Sequence, residues 1–116
     1  MSGGIGIMGT RIVNIDGNSY VTKETPRRAL SATFALKVLN IAGGATVTAT
    51  LQARERDKPD TWSIVGAFST ITATGTYTLE ASGIDEIFRF ILNFDVGDTT
   101  SAAVTLLFRK PMWIPD

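Results

Sequence analysis

The stretch that decides the fold runs from Ala45 to Leu79. It begins with Ala45-Thr-Val-Thr-Ala-Thr-Leu-Gln-Ala-Arg54, in which small or apolar residues alternate with polar ones. A charged turn, Glu55-Arg-Asp-Lys-Pro-Asp60, separates it from a second run, Trp62-Ser-Ile-Val-Gly-Ala-Phe68. Alternation places one set of side chains on each face of a β-strand. The stretch therefore predicts an antiparallel hairpin with a threonine-coated outer face, and its predicted inward residues include Trp62, Ile64 and Phe68.

The same kind of pattern continues on both sides of this hairpin. No segment has helical periodicity over three turns. Further alternating or densely apolar runs predict strands over residues 30–38, 76–81, 87–94 and 103–109. Short strands separated by turns predict an all-β fold, an antiparallel β-sandwich of about 7–8 strands that is jelly-roll or immunoglobulin-like.

The two ends of the chain differ from this central part. Residues 1–28 are predicted to form an N-terminal arm with a short hairpin, because Asp16-Gly-Asn18 lies between two apolar runs. The β-sandwich domain is expected over residues 29–110. Residues 111–116 contain two prolines, which do not fit the interior of a sheet, so they are predicted to form an extended C-terminal tail.

Composition excludes most familiar catalytic chemistry. The 116 residues, a length typical of one domain, include no cysteine and no histidine. Disulfides, thiolate nucleophiles and histidine general bases are therefore excluded. Residues 4–9 match the GxGxxG pattern, but the three residues before them cannot form the strand that a dinucleotide site needs. We expect no enzyme activity, no cofactor and no metal, and we expect turn chemistry at the acidic pairs Asp57 and Asp60, Asp85 and Glu86, and Asp95 and Asp98.

Charge and hydropathy also argue against two classes of partner. Eleven basic and eleven acidic side chains give a formal net charge of +0, so no summed field attracts nucleic acid or an acidic membrane. No apolar run approaches the roughly 18 residues of a membrane span, and the N-terminus lacks the pattern of a secretory signal. We expect a soluble protein made in the cytoplasm.

Six residues outside the predicted strands are candidates for contacting a partner. Arg27 and Arg28 could bind an acidic surface, although a solvated pair is an equal alternative. Trp113 could be an exposed anchor or could pack on its own sheet. Trp62, Tyr77 and Trp113 are also candidates for stacking on a sugar, although strand positions favour the core for Trp62. The full set of predicted partner-contacting residues is Ile5, Ile7, Met8, Arg27, Arg28 and Trp113.

Three blocks of the sequence resemble a known class of virion proteins. They are Val47-Thr-Ala-Thr-Leu-Gln-Ala-Arg-Glu-Arg56, Thr61-Trp-Ser-Ile-Val-Gly-Ala-Phe-Ser-Thr-Ile-Thr-Ala-Thr-Gly-Thr-Tyr77 and Ile87-Phe-Arg-Phe-Ile-Leu-Asn-Phe94. Their succession of strand, charged hairpin, Trp strand and Phe-Arg strand is similar to that of small β-sandwich virion proteins of tailed bacteriophages. That class includes the capsid decoration, or cement, proteins.

The resemblance implies a structural virion protein on the outer capsid surface that stabilises the head. Its expected partners are the major capsid protein and further copies of this chain in a homotrimer, with no direct nucleic acid contact and no membrane. The alternative is a glycan- or receptor-binding β-sandwich module of a phage neck, tail or fibre.

Overall fold

A computed structural model of the protein describes residues 11–15, 19–42, 46–95 and 103–115. These residues contain ten β-strands and no helix. In chain order the strands are β1 (Arg11–Ile15), β2 (Ser19–Val21), β3 (Thr25–Pro26), β4 (Ser31–Ala42), β5 (Thr46–Arg54), β6 (Ser63–Ala67), β7 (Gly75–Ala81), β8 (Ile87–Asp95), β9 (Ala103–Phe108) and β10 (Met112–Ile114).

The strands form two five-stranded antiparallel sheets. In sheet A the path of paired strands is β1-β9-β4-β10. Both β9 and β10 pair with one edge of β4, and β7 pairs with its other edge. Sheet B has the order β2-β8-β5-β6, and β3 pairs with β8 on the same side as β2. The pairs β1 with β9, β2 and β3 with β8, β4 with β7, and β5 with β6 are nested, as in a long hairpin rolled into two sheets. The predicted antiparallel β-sandwich is confirmed, and this strand order is that of a jelly roll.

The hydrophobic core lies between the sheets, where alternation predicts it. The inward residues of the three longest strands are buried; in β4, β5 and β8 they are Ala32, Phe34, Leu36, Val38, Val47, Ala49, Leu51, Ala53, Phe88, Phe90, Leu92 and Phe94. Leu30, the first residue of the strand predicted over residues 30–38, precedes β4 and is exposed. Phe34 of sheet A packs against Phe88 and Phe90 of sheet B, with ring centroids 5.6 and 5.2 Å apart. These aromatic pairs join the two sheets.

Both ends of the chain contribute strands to the sandwich. β1 pairs with β9 in sheet A, whereas β2 pairs with β8 in sheet B. The predicted hairpin between β1 and β2 is therefore wrong, because the segment between them joins strands of different sheets. β10 pairs with β4 at an edge of sheet A. The sandwich thus includes strands before residue 29 and after residue 110, and the C-terminal prolines flank an edge strand, as their missing N–H groups require.

The second strand of the deciding hairpin contains a register shift. Gln52 pairs with Ile64, but the next residue, Leu51, pairs with Gly66, so Val65 is the extra residue of a β-bulge. The extra residue shifts the alternation of side chains, so residues before the bulge face the side of the sheet opposite to the one that a regular strand predicts. Phe68 is buried as predicted, but Ile64 is 72% exposed, and Trp62 lies on the outer face of sheet B. The predicted core positions of Trp62 and Ile64 are wrong for this reason.

Candidate binding surfaces

The first candidate surface is the outer face of sheet B around Trp62. We call it the Trp62 face and define it by Gln52, Arg54, Trp62, Ile64 and Arg89. The guanidinium carbon of Arg89 lies 3.8 Å from the centre of the Trp62 ring, and that of Arg54 lies 5.2 Å from it. Both contacts are attractive cation–π interactions. Because Arg89 also donates a hydrogen bond from Nε to Gln52 Oε1 at 3.0 Å, the stacked arrangement is fixed to the sheet.

Arg54 joins this face to the charged turn and to the segment after β2. Its Nη2 donates to Glu24 Oε1 at 2.7 Å, and its Nη1 donates to the carbonyl oxygens of Glu55 and Arg56. The Nε of Arg54 is buried without a hydrogen-bond partner among the described residues. The side chain is therefore held by its terminal nitrogens and by the Trp62 ring, which gives the face a defined shape.

Ile64 makes the Trp62 face apolar at its exposed end. Its side chain projects beside Trp62 with 72% of its surface exposed, and Val21 on β2 of the same sheet is 47% exposed. An exposed aliphatic residue next to a tryptophan and arginines is a composition typical of the centre of protein–protein interfaces. The face is suited to contact with another protein.

The second candidate surface is a groove between the edges of the two sheets. It has a volume of about 360 Å³ and lies between β3 of sheet B and β10 of sheet A. We call it the Trp113 groove; its lining residues are Thr25, Pro26, Arg28, Lys110, Pro111 and Trp113. Its location follows from the register of the edge strands, since β3 pairs with the start of β8 and β10 with the start of β4.

Trp113 belongs to both the groove and the core. It is half-buried, and its ring centroid lies 5.6 Å from that of Phe88 and 6.3 Å from that of Phe34, both in edge-to-face geometry. Of the two alternatives for this residue, packing on its own sandwich is the one observed. These contacts fix the orientation of the indole while part of its surface remains open to the groove.

Arg27 and Arg28 have different roles although they are adjacent. The guanidinium of Arg27 donates to the carbonyl oxygen of Ile84, and its amide donates to the carbonyl oxygen of Glu86 at 2.9 Å. Arg27 therefore ties the segment after β3 to the segment that precedes β8. Arg28 is exposed at the Trp113 groove, and neither Arg28 nor Lys110 forms an ion pair within the described part of the chain.

Of the predicted partner-contacting residues, Arg28 and Trp113 meet in one site, and Arg27 bonds within the fold. Ile5, Ile7 and Met8 lie outside the described residues. Pro26, Lys110 and Pro111 also line the groove and are not among the residues predicted from the sequence. The spacing of prolines beside Trp113 was the available signal, but only the strand pairing shows that residues so far apart in sequence share a groove.

The aromatic candidates for sugar stacking differ in how accessible their rings are. The Trp62 ring is covered by Arg89. Tyr77 is half-buried against the core, and its hydroxyl donates to the carbonyl oxygen of Ala73 at 3.0 Å. Of the three, Trp113 lines the groove described above.

Among the described residues no group of three or more acidic side chains is placed to hold a metal ion. No helix within the same residues is long and apolar enough to cross a membrane.

Comparison with known proteins supports the fold alone. No protein-family model matches the chain, and a search of curated proteins found no match. Among solved structures, the crystal structure of PirA is similar, with a TM-score of 0.55 and 15% sequence identity. The similarity covers 86% of this chain and 93% of that chain. PirA and this protein thus share a chain path over most of their lengths.

Proposed function

We propose that this protein is a structural virion protein, a capsid decoration protein that binds the outer shell of a tailed-phage head and stabilises it. The proposal is for a non-enzymatic subunit whose partners are the major capsid protein and further copies of itself in a homotrimer. The subunit would stabilise the head by mass action, because a protein that binds only the expanded shell lowers the free energy of that state.

The observation that carries this proposal is the Trp62 face. Ile64 is 72% exposed on a strand, beside a tryptophan that Arg89 and Arg54 hold in place. Large side chains that are rigid before binding lose little conformational entropy at an interface. A decoration protein needs such a preformed contact surface and needs no catalytic groups.

The homotrimer is supported by the sheet edges. Within the described residues β6 pairs with β5 alone and β10 with β4 alone, so each has one edge without a strand partner. Such edges favour pairing with another chain, and closed symmetry would cover them in a fixed number of copies.

The test is co-pelleting of purified protein with matched empty phage heads. Wild type is compared with Ile64→Asp, which places a charge at the exposed apolar end of the Trp62 face, and with Thr78→Asp, which places the same charge at an exposed position on β7 of sheet A. Saturable binding by wild type and Thr78→Asp, lost in a folded Ile64→Asp variant, supports the proposal. Mass photometry of the unbound protein measures its oligomeric state.

Two results would contradict this proposal. If wild type does not bind heads at any concentration tested, the decoration function is wrong. If Ile64→Asp and Thr78→Asp bind equally well, the Trp62 face is not the contact surface.

A second candidate function, a glycan- or receptor-binding module, is favoured by a different observation. The Trp113 groove combines an immobilised aromatic ring with two exposed cations. Binding of saccharides to the isolated protein, followed at the Trp113 indole, tests this candidate independently of phage heads.

A further inference from the structure

We infer that the Trp113 groove binds a sugar that carries a carboxylate, such as a uronic or sialic acid residue. This inference rests on the second candidate function, glycan binding, and specifies its ligand class. It combines three properties of the groove: a fixed apolar wall, an unneutralised positive charge and two proline positions that have no backbone N–H group.

The apolar wall is formed by Trp113, Pro26 and Pro111. The Trp113 ring is held by Phe88 and Phe34, and each proline has its φ angle fixed by its ring. These surfaces lose little freedom when a ligand binds. The C–H face of a pyranose ring is apolar and rigid, so it can pack flat against such a wall. Tryptophan offers an apolar ring for this contact and keeps a polar N–H at its edge.

The positive charge comes from Arg28 and Lys110. Both side chains are exposed. Among the described residues, none that lines the groove is acidic, and the ion pairs involve other cations. A guanidinium binds a carboxylate through two parallel hydrogen bonds. A carboxylate on the ring would therefore bind beside Arg28 while the ring itself contacts Trp113.

The prolines favour a sugar over an acidic peptide. A peptide that adds to a sheet edge gains affinity from main-chain hydrogen bonds. Pro26 occupies one of the two positions of β3, and Pro111 directly precedes β10; neither has an N–H group to donate. A strand of peptide would thus find no main-chain donor at either of these two positions. The volume of about 360 Å³ lies at the small end of ligand pockets, which also suits a short saccharide.

The experiment is an NMR titration of the isolated protein that follows the indole N–H signals of Trp113 and Trp62. The probes are methyl β-D-glucuronide, the neutral methyl β-D-glucoside, sodium acetate and a tetraglutamate peptide. The double variant Arg28→Gln/Lys110→Gln removes both groove cations. The matched control, Lys23→Gln/Lys58→Gln, removes two exposed cations that do not line the groove.

The expected result is a saturable shift of the Trp113 signal with the glucuronide, without a comparable shift of Trp62. The dissociation constant should rise at least about tenfold in the groove double variant, since charge-assisted bonds are lost, and should be unchanged in the control. Addition of salt should weaken binding.

Four results would overturn the inference, and they are distinguishable. Equal binding of glucoside and glucuronide would leave glycan binding intact but reject the carboxylate. An equal effect of acetate would show a simple anion site, and tighter binding of tetraglutamate would show a peptide site. Absence of any saccharide shift would reject both this inference and the glycan-binding function, and none of these results bears on the binding of phage heads.

Discussion

Arg89 covers one face of the Trp62 ring at 3.8 Å, although the two residues belong to parts of sheet B that do not pair directly. β8 carries Arg89, whereas Trp62 precedes β6, and β5 lies between these strands. Gln52 of β5 bonds to Arg89 and pairs with Ile64. The contact therefore spans three strands and holds an aromatic residue on the outside of sheet B.

Substitution Arg89→Lys should release Trp62 from this position. The lysine retains the charge but lacks the planar group that stacks on the ring. We expect a loss of about 0.5–1 kcal/mol in the free energy of unfolding, measured by urea denaturation, and greater quenching of Trp62 fluorescence by acrylamide. Trp113→Phe in both proteins removes the second tryptophan from the signal. Unchanged quenching would show that the stacked contact is not maintained in solution.

A second prediction concerns the gap between β2 and β3. Thr22 is buried there, and its hydroxyl accepts a hydrogen bond from the amide of Phe90 at 2.8 Å. Thr22→Val keeps the side-chain shape but leaves this buried amide unsatisfied, so it should cost about 1–3 kcal/mol. Hydrogen exchange at Phe90 should accelerate by the corresponding factor.

Thr22→Ser is the matched control, because it keeps the hydroxyl and loses one methyl group. The Phe90 amide should stay protected in this variant relative to its own global stability. Equal acceleration in both variants would contradict a specific role for the hydroxyl.

The inward face of most strands could be predicted because alternation alone determines it. Phe34, Leu51 and Phe90 lie where the period of two places them. The bulge at Val65 could not be predicted, since one extra residue reverses the facing of Trp62 and Ile64 without any change in local composition. Sequence periodicity carries no information on where a partner strand omits a residue.

For the Trp113 groove, the sequence predicts two of the residues but not that they lie close together. Residue type alone predicts Arg28 and Trp113 as candidates, since arginine and tryptophan are favoured at interfaces. Their proximity depends on β3 and β10 joining different sheets, which is a long-range property of the jelly roll. The hairpin predicted at Asp16-Gly-Asn18 is wrong for the same long-range reason, because a turn signal does not tell which strand pairs with which.

A third prediction tests whether the C-terminal strand belongs to the core. Trp113→Ala should destabilise the protein by about 3 kcal/mol, because it removes the ring that packs on Phe34 and Phe88. Met112→Ala, at a neighbouring position that is 70% exposed, should cost less than about 0.5 kcal/mol. Thermal or urea unfolding of both variants measures the difference. Similar values for the two would mean that β10 is not docked in solution.

A fourth prediction concerns Gly83, whose φ angle of 69° lies in the left-handed region. An added Cβ would meet no atom within 4 Å, so the cost of Gly83→Ala is purely conformational. We expect a loss of about 1–2 kcal/mol and a smaller loss for Gly83→Asn, since asparagine tolerates this region better. Ser82→Ala, an exposed neighbour, serves as the control. Equal stability of Gly83→Ala and wild type would contradict the left-handed backbone.

The last prediction is a dependence of stability on alkaline pH that involves Tyr20. This residue lies on β2 and packs against the core, and burial raises the pKa of its phenol above the ordinary value of 10.0. The folded state therefore holds the phenolic proton more tightly than the unfolded state. The resulting stabilisation is fully present below the unfolded pKa and is lost as pH rises through the folded pKa.

Urea unfolding between about pH 9 and pH 11 should show a steeper fall in the free energy of unfolding in wild type than in Tyr20→Phe. This variant keeps the lysines that titrate in the same range. Parallel pH profiles for the two proteins would contradict the packing of Tyr20 against the core.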